Sequence, residues 1–140
     1  MANDLKYVGT LSNNMLDEIT ALIDAGAGAG TLRIYSGTAP ADADTALSGN
    51  TLLAQLTMSD PSAGAAASDV WTANSITDDT AADATGTATF FRVLDSNANV
   101  VLQGTVGLDT GTFDLELNDT AITINDNVAV SAFTITEGNT

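Results

Sequence analysis

The sequence contains no cysteine and no histidine, and only three of its 140 residues are basic: Lys6, Arg33 and Arg92. Without cysteine the chain forms no disulfide and carries no thiolate, and without histidine it lacks the commonest general base of enzymes. The 18 acidic residues give a formal net charge of −15. Such a charge repels nucleic-acid phosphates and anionic membranes, so we expect neither as a partner. A basic partner surface would be complementary, and salt adaptation is a second interpretation of the acidity.

Long hydrophobic runs and aromatic side chains are also scarce. No apolar run approaches the roughly 18 residues that indicate a membrane span. The opening residues, MANDLKYVGT, lack the basic and apolar regions of a signal peptide. Alanine, threonine, aspartate and glycine dominate instead, which indicates a light β-fold with polar loops. A chain of this length is expected to form a single domain.

Residues 1–30 differ in pattern from the rest and predict an N-terminal arm and a helix that packs on the following domain. Ser12 is a suitable N-cap, and Gly26, Gly28 and Gly30 are expected to end the helix. The helical spacing of apolar residues predicts an amphipathic helix that covers one sheet. These apolar residues are Leu11, Met15, Leu16, Ile19, Leu22 and Ile23.

Residues 31–140 predict a β-sandwich. About seven or eight short runs of alternating residues are separated by turn formers, with no helix between them. This pattern is typical of an all-β, antiparallel sandwich or jelly-roll-like fold, here with one N-terminal amphipathic helix. The clearest strands lie at 31–36, 51–59 and 112–118, and 87–107 forms the best hairpin. The segment Asp60–Ala84 is the least clear, with a short strand near Val70–Ala73 and flexible loops around it.

The acidic residues offer little catalytic chemistry. Most lie in predicted turns, which favours solvated loop charge over the paired carboxylates of a glycosidase. Asp95, Asn97 and Asn99 in DSNAN mimic the opening of a calcium loop, but its glycine and terminal glutamate are missing. Such residues also favour plain turns. We therefore expect no catalytic residue, cofactor or metal, and these three residues are the nearest approach to a metal site.

Two of the three basic residues lie inside predicted strands. Alternation places Arg33 on one face with Tyr35, and Arg92 with Phe90. An arginine stacks on a ring and forks to a carboxylate, so we hypothesise that each arginine holds a loop carboxylate across the sheet. Arg92 and Tyr35 are then structural residues. The alternative is that one arginine, Arg33, is displayed to a partner.

Three stretches of the chain resemble a family of small tailed-phage virion proteins: TLRIYSGTAPADADTALSGNTLLAQLTMS, GTATFFRVLDSNANVVLQGTVG and VAVSAFTIT. The resemblance spans roughly residues 11–138, and its motifs are structural rather than catalytic. It implies a non-enzymatic capsid cement or decoration protein, as in cyanobacterial phages. Such a protein is made in the host cytoplasm and bound on the outer capsid surface of the virion. The implied partners are the major capsid protein and further copies of the chain, as a dimer or trimer.

In that setting the arm, the helix and the loop Asp60–Ala84 are the expected contact regions. A tail, neck or head-fibre position is the alternative within the virion. A carbohydrate-binding or adhesion module is the alternative class, although one tryptophan and two tyrosines supply few rings for it. The candidates for interface residues are Lys6, Tyr7, Arg33 and Trp71. For Trp71, packing in the core is an equal alternative.

Overall fold

The computed structural model describes residues 4–139, which form one helix followed by nine strands. The prediction of a β-rich chain with one N-terminal helix is confirmed. Across residues 4–139, no helix combines the length and the apolar character that crossing a membrane requires. The elements are α1 (Gly9–Ile23), β1 (Thr31–Ser36), β2 (Thr51–Thr57), β3 (Val70–Thr72), β4 (Gly86–Thr87), β5 (Phe90–Leu94), β6 (Val100–Leu108), β7 (Leu115–Leu117), β8 (Ala121–Ile122) and β9 (Thr134–Thr136).

Five of the strands form the main sheet, in the order β2-β1-β5-β6-β7, while β3 pairs with β9 and β4 with β8. The first four strands of the main sheet are antiparallel, but β7 runs parallel to β6. The expectation of a purely antiparallel fold is therefore wrong. Because β7 pairs only with the last three residues of β6, residues 109–114 lead the chain back along β6 by only about 7 Å, from the level of Leu108 to that of Val106.

One face of the main sheet carries the core. Leu32 and Ile34 of β1, together with Val93 of β5, are completely buried on this face. The alternation expected in β2 is interrupted, because its register with β1 shifts beside Ile34. The extra residue leaves Leu53 and Ala54 both completely buried. A β-bulge of this kind bends an edge strand and lets two consecutive side chains pack inward.

The helix reaches the sheet through an aromatic layer. The Phe133 ring packs edge-on against Phe91 of the sheet, with 5.4 Å between ring centroids, and against Trp71 of β3 at 5.7 Å. Leu16 and Ile23 of α1 are buried in the same cluster. Such edge-to-face contacts stabilise a core beyond the apolar area that they bury.

The helix begins earlier than predicted. Its first residue is Gly9, and Val8 caps it without a side-chain hydrogen bond, so Ser12 lies inside the helix, where it is completely buried. The helix ends at Ile23, ahead of the three glycines, as expected.

A polar side of the helix holds the segment that leads to β3. Four polar residues spaced by four, three and four positions share this side, and each accepts a hydrogen bond from residues 62–71. The flexible loops predicted around β3 are thus tied to the helix, because backbone N–H groups without a sheet partner find side-chain acceptors there. The acceptors are Asn13 (from Asp69 N, 3.0 Å), Asp17 (from Ala66 N, 2.6 Å), Thr20 (from Trp71 Nε1, 2.8 Å) and Asp24 (from Ser62 N, 3.1 Å).

Gly30 occupies the closest approach between the helix end and β5. A Cβ atom there would lie 2.6 Å from Ile23 Cγ2 and 2.6 Å from the backbone oxygen of Leu94. We expect Gly30→Ala to lower the free energy of unfolding by about 1–3 kcal/mol, since the backbone must shift. Urea denaturation measures this, with Gly64→Ala as the control because no heavy atom lies within 4 Å of a Cβ at Gly64. Equal losses in the two variants would contradict the steric explanation.

Candidate interaction surface

A row of four polar side chains crosses the main sheet on the face opposite the core. Arg33 in β1 pairs directly with Arg92 in β5, and the row continues to Gln55 in β2 and Gln103 in β6. Like charges directly opposite each other across a strand pair repel. Each guanidinium instead donates outward along the row, from Arg33 Nε to Gln55 Oε1 at 2.7 Å and from Arg92 Nε to Gln103 Oε1 at 2.9 Å.

Arg92 also holds the loop between β1 and β2 over this face. Its side chain is only 4% exposed, and Nη2 donates to the backbone oxygens of Thr45 at 2.6 Å and of Asp42 at 3.3 Å. The sequence predicted a loop carboxylate as the acceptor, and the structure has carbonyl oxygens in that role. The carboxylate of Asp42 is already occupied, since it accepts from Thr45 N and Thr45 Oγ1. These hydrogen bonds are the main cause that lowers the pKa of Asp42.

Tyr35 and Arg33, which the sequence analysis considered together with Arg92, have different surroundings. Tyr35 is buried and stacks on Phe90, with 5.2 Å between ring centroids and 14° between ring planes, which fits the structural role expected of it. Arg33 is only half-buried. One of its five N–H donors is engaged within residues 4–139, so the remaining donors can bind water or a partner.

Trp71 lies where a partner cannot reach it. The side chain is completely buried between Phe133 and the helix, and its Nε1 donates to Thr20 Oγ1 at 2.8 Å. A residue without exposed surface makes no contact with a partner of the folded chain. Of the two alternatives for Trp71, the structure supports core packing.

The DSNAN segment forms a turn. The Asp95 carboxylate accepts from Asn97 N at 2.9 Å, from Asn99 N at 2.8 Å and from Asn99 Nδ2 at 2.9 Å. The neighbouring Ser96 fills the space above Gly26 and accepts from Gly28 N at 3.2 Å. The three metal candidates thus have a turn-forming role, which docks the β5–β6 turn on the glycine segment after α1.

The same turn gives the stability of the fold a pH dependence. Hydrogen bonds from Asn99 are the main cause that lowers the pKa of Asp95. Such a carboxylate stabilises the fold above its unfolded pKa of about 3.9, and this contribution is lost as the pH falls through the folded pKa. We expect the wild type to melt at a higher temperature than Asp95→Asn at about pH 6, with the gap narrowing as the pH falls below about 3.9, the unfolded pKa. Thermal melts across this range measure the gap; a gap of constant size would contradict the expectation.

One side of the helix exposes apolar residues. Leu11, Met15 and Leu22, spaced by four and seven positions, are 46%, 43% and 54% exposed. The core therefore covers only part of the predicted apolar stripe, namely the side of the helix that carries Leu16 and Ile23. We call Leu11, Met15 and Leu22 the helix flank.

The N-terminal arm lies beside the C-terminus. In the described part of the arm, residues 4–8, Leu5 is 61% and Val8 is 71% exposed, and Lys6 is exposed as well. Tyr7 is half-buried, and its backbone N donates to the backbone oxygen of Asn139 at 2.8 Å. Residues 1–3 of the predicted arm lie outside the described residues.

A groove of about 620 Å³ opens between β6 and β9. Its floor includes Gly104, where the absence of a side chain gives space to the ring of Phe91 on the neighbouring strand. The groove is therefore lined by both apolar and acidic side chains. Its lining includes Phe91, Leu102, Phe113, Ile135, Asp114 and Glu116.

Comparisons of the chain with protein-family models, with curated proteins and with solved structures found no significant match.

Proposed function

We propose that this chain is a non-enzymatic structural protein of a tailed-phage virion. In this proposal it is a cement protein, bound to the outer surface of the capsid, where it clamps neighbouring major capsid proteins. The resemblance of its LRIYSGT, FFRVLD and SAFTIT motifs to small virion proteins is the first support. We further propose that the main sheet and the β3–β9 pair, which packs on its core face, form a jelly-roll-like β-sandwich.

The distribution of exposed apolar side chains is the structural observation that carries the proposal. Five of the nine exposed large apolar side chains in residues 4–139 lie between residues 5 and 22. Clustered apolar exposure of this kind marks interaction surfaces on small proteins. The five are Leu5, Val8, Leu11, Met15 and Leu22.

The charge of the chain suits the same role. With a net charge of −15, the protein favours a basic surface on its partner and gives coated particles a common charge that keeps them apart. A small contact repeated by the symmetry of the shell gains avidity, so each copy needs only a limited apolar surface. The helix flank is the surface that we assign to the capsid protein.

Binding to capsids that lack the protein tests this assignment. We expect Leu22→Ser to weaken the affinity for capsids, measured by co-sedimentation, by roughly 5- to 30-fold, because an exposed leucine that becomes buried contributes about 1–2 kcal/mol. Ile124→Ser is the matched control, since Ile124 is 53% exposed against 54% for Leu22 but lies outside the arm and the helix. Equal binding by the two variants would contradict the use of the helix flank, and no binding of the wild type would contradict the cement function.

A further inference from the structure

Two strand edges border the groove between β6 and β9 without a strand between them. In β6, Val106 N donates to Thr89 O on the side of β5, so the backbone groups of Gln103 point to the opposite side. In β9, the hydrogen bonds to β3 are made by residues 133, 135 and 137, so those of Thr134 and Thr136 point away from β3. All three outward-facing residues line the groove. An open edge of this kind is a template for an added strand.

The acidic lining of the groove contains an unsatisfied carboxylate oxygen. Glu116 follows Leu115 in β7, and its Oε1 is buried without a hydrogen-bond partner. Buried carboxylate oxygens in folded proteins are normally paired, because losing water without a donor is costly. The neighbouring Asp114 is already satisfied, since its Oδ2 accepts from Thr105 N and Thr105 Oγ1 at 2.8 Å each. The Glu116 side chain is half-buried and lines the groove, so it reaches a donor from another molecule by turning its carboxylate toward the groove.

The N-terminal arm carries the matching features. Within residues 4–139, Lys6 is the only basic side chain without an intramolecular hydrogen bond, because both arginines bind glutamine. Exposed apolar side chains lie on either side of it, at Leu5 and Val8. The arm is also attached to the C-terminal segment, because Tyr7 N donates to the backbone oxygen of Asn139, three residues beyond the end of β9, and β9 lines the groove.

We propose that the groove binds the N-terminal arm of a second copy as an extended segment, with Lys6 of that copy donating to Glu116. The apolar lining residues of the groove then contact Leu5 or Val8, and the open edges of β6 and β9 supply backbone hydrogen bonds. A reciprocal exchange of arms closes a two-fold dimer, in which each copy gives one arm and one groove. A second copy is the occupant that we choose because its arm brings Lys6, the one basic side chain of residues 4–139 without an intramolecular hydrogen bond, to the groove. Two carboxylates in that range have a buried oxygen without a partner, Asp69 and Glu116, and of these only Glu116 lines the groove. The proposal is independent of the virion function.

Charge reversal tests the pairing directly. Analytical ultracentrifugation of the full chain over a range of concentrations gives the dimer dissociation constant. We expect Lys6→Glu and Glu116→Lys each to raise this constant by at least about thirtyfold, the lower end for loss of a buried charge partner. The double variant Lys6→Glu/Glu116→Lys restores the pair with reversed signs and is expected to dimerise again. Asp44→Lys matches the charge change of Glu116→Lys at an exposed site away from the groove, and it should leave dimerisation intact.

Several outcomes would overturn the proposal, provided that circular dichroism shows each variant folded. These are a wild type that stays monomeric at all concentrations, a dimer indifferent to both reversals, and a double variant that remains monomeric. A dimer lost in Leu22→Ser but kept in the charge variants would place the contact on the helix flank instead. Each of these results leaves the capsid-binding experiment to be decided separately, since that experiment uses a different surface.

Discussion

Trp71→Ala is expected to lower the free energy of unfolding by about 3–5 kcal/mol, which is enough to unfold many small domains. The change removes a completely buried ring that joins Phe133 to the helix, and it leaves Thr20 Oγ1 without its donor. Urea denaturation followed by circular dichroism measures the loss.

Two control variants separate the contributions of Trp71. Trp71→Phe keeps an aromatic ring but removes the Nε1 donor, so it should cost about 1–2 kcal/mol. Phe113→Ala removes a ring that is 42% exposed and should cost clearly less than Trp71→Ala. If Trp71→Ala were as stable as the wild type but failed to bind capsids, Trp71 would be an interface residue and its position in the core would be wrong.

Arg92→Met is expected to lower the free energy of unfolding by about 2–3 kcal/mol. Methionine retains much of the length of the side chain, but it supplies no donor to Gln103 or to the carbonyl oxygens of Thr45 and Asp42. The loop between β1 and β2 then loses its attachment to the sheet. Denaturation measures the stability, and proteolysis between residues 38 and 50 reports whether the loop is released.

Arg33→Met is the matched control. This substitution removes the same charge, at a position directly opposite Arg92. Only one hydrogen bond is lost, the one that Arg33 donates to the exposed Gln55. The substitution also relieves the like-charge pair, so the net change should stay within about 0.5 kcal/mol. Equal destabilisation by the two variants would show that burial and loop contacts do not distinguish these arginines.

The main elements of the fold could be predicted because their sequence patterns are local. The apolar stripe of α1 and the turn formers between β5 and β6 depend only on neighbouring residues. The parallel pairing of β7 could not be predicted in this way, because the alternation of apolar and polar residues within a strand does not show which other strand it pairs with, or in which direction. The bulge beside Leu53 was missed for the same reason, since two buried residues in succession break the period of two.

The polar contacts show a similar division. The sequence indicated that Arg33 and Arg92 lie in strands beside aromatic residues, but it did not reveal that they face each other. Gln55 and Gln103 were missed, although an amide in the middle of an apolar strand is a signal for a buried polar partner. The polar side of the helix was also visible as a spacing, at Asn13, Asp17, Thr20 and Asp24. Three of its four partners in residues 62–71 are backbone N–H groups, which carry no sequence signal, and the fourth is the indole Nε1 of Trp71.

The copy number and position of the protein on purified virions test the central claim most directly. Immunogold labelling gives the position, and quantitative gel densitometry gives the ratio to the major capsid protein. A cement protein predicts dense labelling over the head at a near-stoichiometric ratio. Sparse label on the tail, neck or a single vertex would contradict the cement function and favour a tail, neck or head-fibre protein. Absence of label on the particles would contradict a virion function altogether.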